Sequence, residues 1–312
     1  MILVEKRDYR GWPNSYFLSN GIVELAVLAD VGPRVIRYGF VGGENQFYEL
    51  DPQAGLSRGD EFCLYGGHRL WVWPEVARTY FPDNHPVEVK TTPTGAEFLA
   101  PIETEPPGTS LQKRIAIELR ESGTRVRLTH SITNHSDTET RLAPWTPSLM
   151  RPGGRGILPF PPRAAMDKDH FQSVSPLTLW SFTDFTDSRW VIGQEFLQLI
   201  QQARPTGRFP EQMTGLFNPA GWGAYLRSGQ LFLKRTEVIA GAQYPDFGCN
   251  LELFTNSEFL ELETLGPLVT LHSGQSTHHS EDWYLFDGLP AIESDQSIRS
   301  QVLPRLQRTS LN

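Results

Sequence analysis

Three of the four carboxylates in the segment Asn250-Leu-Glu-Leu-Phe-Thr-Asn-Ser-Glu-Phe-Leu-Glu-Leu-Glu-Thr264, namely Glu252, Glu261 and Glu263, alternate with apolar residues. Alternation at a period of two marks a strand. With Asn256-Ser257 at the turn, the expected hairpin pairs Phe254 with Phe259, Glu252 with Glu261 and Asn250 with Glu263. Those six residues share one face, and Leu251, Leu253, Leu260 and Leu262 share the other. Like charges set opposite each other destabilise a hairpin. Solvent, a cationic partner or a ligand rich in hydroxyl groups must offset them. A carboxylate beside another has its pKa raised, which suits a proton-abstracting base near neutrality.

A second constellation is Tyr65-Gly-Gly-His-Arg-Leu-Trp-Val-Trp-Pro-Glu75. A Gly-Gly pair lets the backbone turn tightly or approach a ligand closely. The indole faces of Trp71 and Trp73 can stack on sugar C–H surfaces, while His68, Arg69 and Glu75 can hydrogen-bond hydroxyl groups. The same residues also fit a strand with two core tryptophans and a surface ion pair. The segment lacks the Gly-Lys-Ser/Thr ending of a phosphate loop. No nucleophile elbow is present, so covalent acyl chemistry has no support. His278-His279 and Glu281 superficially suggest a metal site, but adjacent strand residues point to opposite faces, so no metal is expected. His130 and His135 flank a hairpin and read as surface residues, whereas His85 could face the same cleft as the Trp-rich motif.

The elements that must position these groups are short β-strands punctuated by 27 glycines and 24 prolines. Strands are expected at 15–19, 22–29, 34–40, 88–92, 96–100, 111–120, 125–133, 142–149, 231–236, 251–254, 259–263 and 280–286. Residues 189–201 read as a possible helix, and 151–163 and 204–221 as long ordered loops that line a binding site. The expected architecture is all-β, a single domain over residues 1–312. The 312-residue length and 39% hydrophobic content allow one large core. A net charge of −8 argues against nucleic acid and anionic membranes as partners. No apolar run approaches the roughly 20 residues of a membrane span. The opening Met1-Ile-Leu-Val-Glu-Lys-Arg-Asp8 is too short and charged for a signal peptide. Cys63 and Cys249 lie far apart and fit no metal or redox spacing, so a cytoplasmic protein with two reduced thiols is expected.

Four features, in order, resemble the galactose mutarotase-like superfamily. They are Val31-Gly-Pro-Arg-Val-Ile36; Tyr65-Gly-Gly-His68 through Trp73-Pro74-Glu75; Ile132-Thr-Asn134 leading to Ala143-Pro-Trp-Thr146; and Leu260-Glu-Leu-Glu-Thr264 followed by Leu271-His-Ser-Gly274 and a closing strand around Trp283. Together they span almost the entire chain. The resemblance implies a large antiparallel β supersandwich with an open cleft on one sheet. It implies an aldose 1-epimerase-like isomerase acting on a small-molecule sugar, with no cofactor. In that superfamily a Glu takes the proton of the anomeric hydroxyl and a His protonates the ring oxygen. Glu263 matches the base. The place of the acid reads Ala143-Pro-Trp-Thr-Pro147, without a His, and His68 is the expected substitute. Arg34, Arg69, Trp73, Glu75, Trp145, Glu252 and Glu261 are the expected substrate contacts. The missing His leaves open a carbohydrate-binding protein, or a lyase-like or modified-sugar enzyme, using the same cleft.

Overall fold

A computed structural model describes residues 1–104 and 110–309. Among them, twelve strands form one antiparallel sheet and ten form a second. The larger sheet runs from Leu3–Tyr9 through Trp12–Ser19, Val23–Leu28, Arg34–Phe40 and His68–Arg69 to the central strand Thr140–Met150. It continues through Leu260–Leu265, Leu251–Thr255 and Gln212–Leu216 to Leu177–Leu179. Trp71–Trp73 and Val269–Leu271 also pair with the central strand. The second sheet has Gln230–Thr236, Ser276–Phe286, Val126–Asn134 and Leu111–Leu119 near its middle.

Hydrophobic burial explains why the sheets stack. Leu251, Leu253, Leu260 and Leu262 are all fully buried, on the face that meets the second sheet. Fully burying a leucine contributes about 1.5–3 kcal/mol, and slipping the strand by one residue would turn all four outward. Trp283 anchors the facing layer, with ring centroids 5.7, 5.4 and 5.5 Å from Tyr38, Phe47 and Phe232. A short helix, Asp295–Gln301, closes the other side of the second sheet. Ser294 caps it by accepting the Ser297 N–H, and Ile298 and Val302 pack on Ile157, Phe196 and Trp222.

Three local expectations differ from this arrangement. Residues 189–201 are not helical; Trp190–Ile192 and Phe196–Ile200 form a hairpin that folds back at Gly193. The stretches 151–163 and 204–221 contain the strands Arg155–Pro159 and Gln212–Leu216. In the acidic hairpin the register moves by two. Asn256 Oδ1 accepts the N–H groups of Glu258 and Phe259, and the Asn256 N–H donates to the Phe259 carbonyl. This four-residue turn pairs Glu252 with Glu263 and Phe254 with Glu261. An even shift leaves every side chain on its expected face.

Candidate functional site

The outer face of the larger sheet, away from the sandwich interior, collects acidic groups. Register places Glu263 opposite Pro147 and Glu261 opposite Leu149, so the carboxylates share a face with Trp145. Glu252, Glu261 and Glu263 are only 1, 7 and 0% exposed. The Trp145 indole N–H donates to Glu263 Oε2. Trp71 packs on Trp145 with centroids 4.8 Å apart, and Leu265 completes the cover. Glu263 lies within hydrogen-bond reach of both Glu252 and Glu261. Burial pushes the Glu263 carboxyl up to about 7, against the opposing pull of the Trp145 hydrogen bond and Lys234. Burial, then the charge of Glu263, holds Glu252 and Glu261 well above the carboxylate range. Protonation therefore resolves the like-charge problem at neutral pH: the cluster holds protons that three exposed carboxylates would release.

A strap over residues 245–249 borders this cluster. Asp246 accepts the Trp73 indole N–H at 3.0 Å, and burial raises its pKa. The rim is formed by half-buried Trp73 and Phe62 and by exposed Glu75 and Tyr80, whose hydroxyl donates to Glu75. Arg69 points to the same face, stacked over Trp71 at 4.7 Å and paired with Asp83 at 2.8 Å.

His68 faces the other way. It pairs in register with Ser148, whose neighbour Leu262 points into the sandwich. Its Nδ1 lies 2.8 Å from Ser148 Oγ and its Nε2 lies 2.8 Å from His130 Nε2. His130 Nδ1 donates to the His279 carbonyl, and His279 Nε2 donates to Thr264 Oγ1. Those bonds assign a neutral chain, with Ser148 donating to His68 and His68 donating to His130. Glu281 accepts from Thr146, Thr264 and Trp283 and pairs with the Lys234 ammonium at 3.0 Å. Lys234 also donates to the carbonyls of Thr146 and Leu262. Burial lowers the pKa values of His68, His130 and Lys234, and drives His279 down to about 3.

This interior network corrects two expectations. His68 cannot deliver a proton beside Glu263, because the sheet itself separates them. His130 is completely buried, not a surface residue. The donor atoms of His68, His130 and Glu281 do lie within 4.8 Å of one another. A zinc ion needs deprotonated ring nitrogens at about 2.0–2.1 Å. Here the two Nε2 atoms share a proton, and an ammonium already occupies the carboxylate, so the donor set suits hydrogen bonding better than a cation.

Similarity to solved structures covers nearly the whole chain. A galactose mutarotase-like protein from Lactobacillus casei superposes with a TM-score of 0.56 at 10% identity, over 88% of this chain and 100% of that one. A galactose mutarotase related enzyme from Lactobacillus acidophilus gives 0.56 at 10%, over 89% and 99%. A galactose mutarotase-like protein from Clostridium acetobutylicum gives 0.51 at 12%, over 92% and 99%. The fold is galactose mutarotase-like. No protein-family model and no curated relative matches the sequence, and likeness at these identities establishes the fold alone.

Within this mutarotase-like fold, the structure brings Glu252, Glu261, Glu263, Trp145, Trp73, Glu75 and Arg69 to one face. Arg34 shares that face by register with Arg69, but it is fully buried and donates to the carbonyls of Leu64 and Gly66, bracing the turn below. The Gly66-Gly67 pair serves the backbone: a Cβ on Gly67 would stand 2.4 Å from the Val35 carbonyl oxygen. His85 is exposed in a turn. Cys63 and Cys249 are free thiols. No helix among the described residues is long and apolar enough to cross a membrane. Asp246 and Lys234 went unnoticed in the sequence, where Glu281 stood out only beside His278-His279. Asp246 carries no periodic signal, and Lys234 sits in an apolar strand where lysine ordinarily marks the solvent side.

Proposed function

We propose that the acidic face receives a sugar and interconverts its anomers, acting as an aldose 1-epimerase-like isomerase on a small-molecule substrate. The observation that carries this reading is Glu263 lying between two further carboxyls beneath indole side chains. Glu263, near neutral in pKa, takes the proton of the anomeric hydroxyl. Glu261, held protonated and nearer the rim, replaces His68 as the acid and protonates the ring oxygen as the C1–O5 bond breaks. Rotation about C1–C2 in the open-chain aldehyde, followed by the reverse transfers, closes the ring as the other anomer. Trp73 and Arg69 supply a stacking face and a donor. Free Cys63 and Cys249 fit a reducing, cytoplasmic setting.

The test is NMR of freshly dissolved α-D-glucose and α-D-galactose with the protein at pH 7. The expected result is anomer exchange faster than in buffer, reduced about 10²–10⁴-fold by Glu263→Gln or Glu261→Gln. Exchange unchanged in Glu263→Gln removes the assignment. The complete burial of Glu263 favours a second reading, a carbohydrate-binding protein on the same face. Its signature is sugar-dependent thermal stabilisation without accelerated exchange.

A further inference from the structure

The strap over residues 245–249, which borders the acidic cluster, also lines an open groove of about 740 Å³ through Phe247 and Gly248. Its lining includes Ser173, Ser175, Phe217, Gln243, Tyr244 and Phe247. Among the described residues no charged side chain lines it. The volume lies within the range of about 300–1,000 Å³ typical of small-molecule sites.

The strap joins groove to cluster through strained backbone. Asp246 and Phe247 occupy the left-handed region at φ 48° and 65°, followed by Gly248 at 111°. Two consecutive non-glycine residues in that region are unfavourable and persist only when the surroundings enforce them. Here they do. Trp73 holds the Asp246 carboxyl, and Thr178 Oγ1 and Cys249 Sγ donate to the Asp246 carbonyl. The N–H groups of Gly248 and Cys249 both donate to the Pro245 carbonyl. The outcome is a division of labour between neighbours. Asp246 turns inward to Trp73 and Glu252, while the Phe247 ring is turned out to solvent, 92% exposed, beside the groove.

An aromatic ring held out to water by a braced backbone, next to hydroxyl and amide side chains and without charges, matches a neutral ligand that has both C–H faces and hydroxyls. We propose that the groove is a second saccharide subsite, so that the ligand is at least a disaccharide. The residue at its reducing end enters the acidic cluster, and the next ring stacks on Phe247. This rests on the reading of the acidic face as a sugar site, and it adds the length and neutrality of the substrate.

The experiment is calorimetric titration with glucose and galactose against maltose, lactose and cellobiose. A disaccharide that uses both subsites binds about tenfold more tightly than the monosaccharide at its reducing end. Phe247→Ala abolishes that advantage and leaves monosaccharide affinity unchanged, whereas Phe247→Trp preserves it. Thermal unfolding of both variants checks that they fold. Equal affinity for mono- and disaccharides, or an advantage that survives Phe247→Ala, overturns the groove proposal and leaves the acidic site standing. Absence of binding by every sugar overturns both.

Discussion

Replacing Lys234 by methionine removes one ion from a pair that has no access to water. Lys234 Nζ and Glu281 Oε1 are 3.0 Å apart, and both side chains are fully buried. At that distance, with an effective dielectric of about 20, Coulomb's law gives about 5.5 kcal/mol of attraction. The apolar stem of methionine fills most of the space left by lysine, so the loss is electrostatic rather than a cavity. Glu281 keeps its hydrogen bonds from Thr146, Thr264 and Trp283 but loses its counterion. Breaking a buried pair in this way costs about 3–5 kcal/mol. Urea unfolding of the wild type, Lys234→Met, Glu281→Gln and the double variant measures it. The double variant should recover at least half of the single-variant loss, because no charge is then stranded. A single-variant loss below about 1 kcal/mol, smaller than a typical buried hydrogen bond to a charged group, would refute the reasoning.

Two further predictions concern the acidic hairpin. Glu263 binds its proton more tightly when folded, up to about 7, than in an unfolded chain near 4.5. The folded state therefore holds the extra proton between those values, and Glu263 contributes stability at low pH that is lost as pH rises from 4.5 towards 7. Glu263→Gln should gain on the wild type by up to about 1.4 kcal/mol per pH unit across that window, measured by urea unfolding at pH 5, 6 and 7. The comparison must be a difference between variants, because His279, with its pKa near 3, acts oppositely and destabilises the fold as pH falls below 6.5. Asn256→Ala should destabilise by about 1 kcal/mol, since its side-chain oxygen accepts the Glu258 and Phe259 N–H groups, and the same unfolding assay reads it.

Period-two alternation carried most of the fold into the sequence. The Leu and Glu faces of the 251–265 hairpin could be read because four leucines on one side leave a single way to bury them. Register was not legible to the same degree, since the turn length depends on the Asn256 side chain and not on the alternation. The interior network was hidden for another reason. Val126–Asn134 and Ser276–Phe286 place His130, His279 and Glu281 inward, where sequence patterns lead one to expect apolar residues. Only the pairing of His130 with His279 and the packing of the two sheets bring these residues to His68 and Lys234. The false helix at 189–201 came from apolar residues whose spacing also suits two short strands with a turn between them.

The strand Leu260–Leu265 writes two sites in alternate letters. Glu261 and Glu263 serve the outer cluster, while Leu262 and Thr264 serve the core and the Glu281 network. Most substitutions can therefore change the contacts of one site without touching those of the other, Lys234 being the group whose charge reaches Glu263 across the sheet. A one-residue insertion or deletion within the strand has no such freedom. It would exchange the two faces at once, driving carboxylates into the core and leucine out of it. Length variation among natural versions of this protein should accordingly fall in the turns around Asn256 and Gly266, and be purged between Leu260 and Leu265.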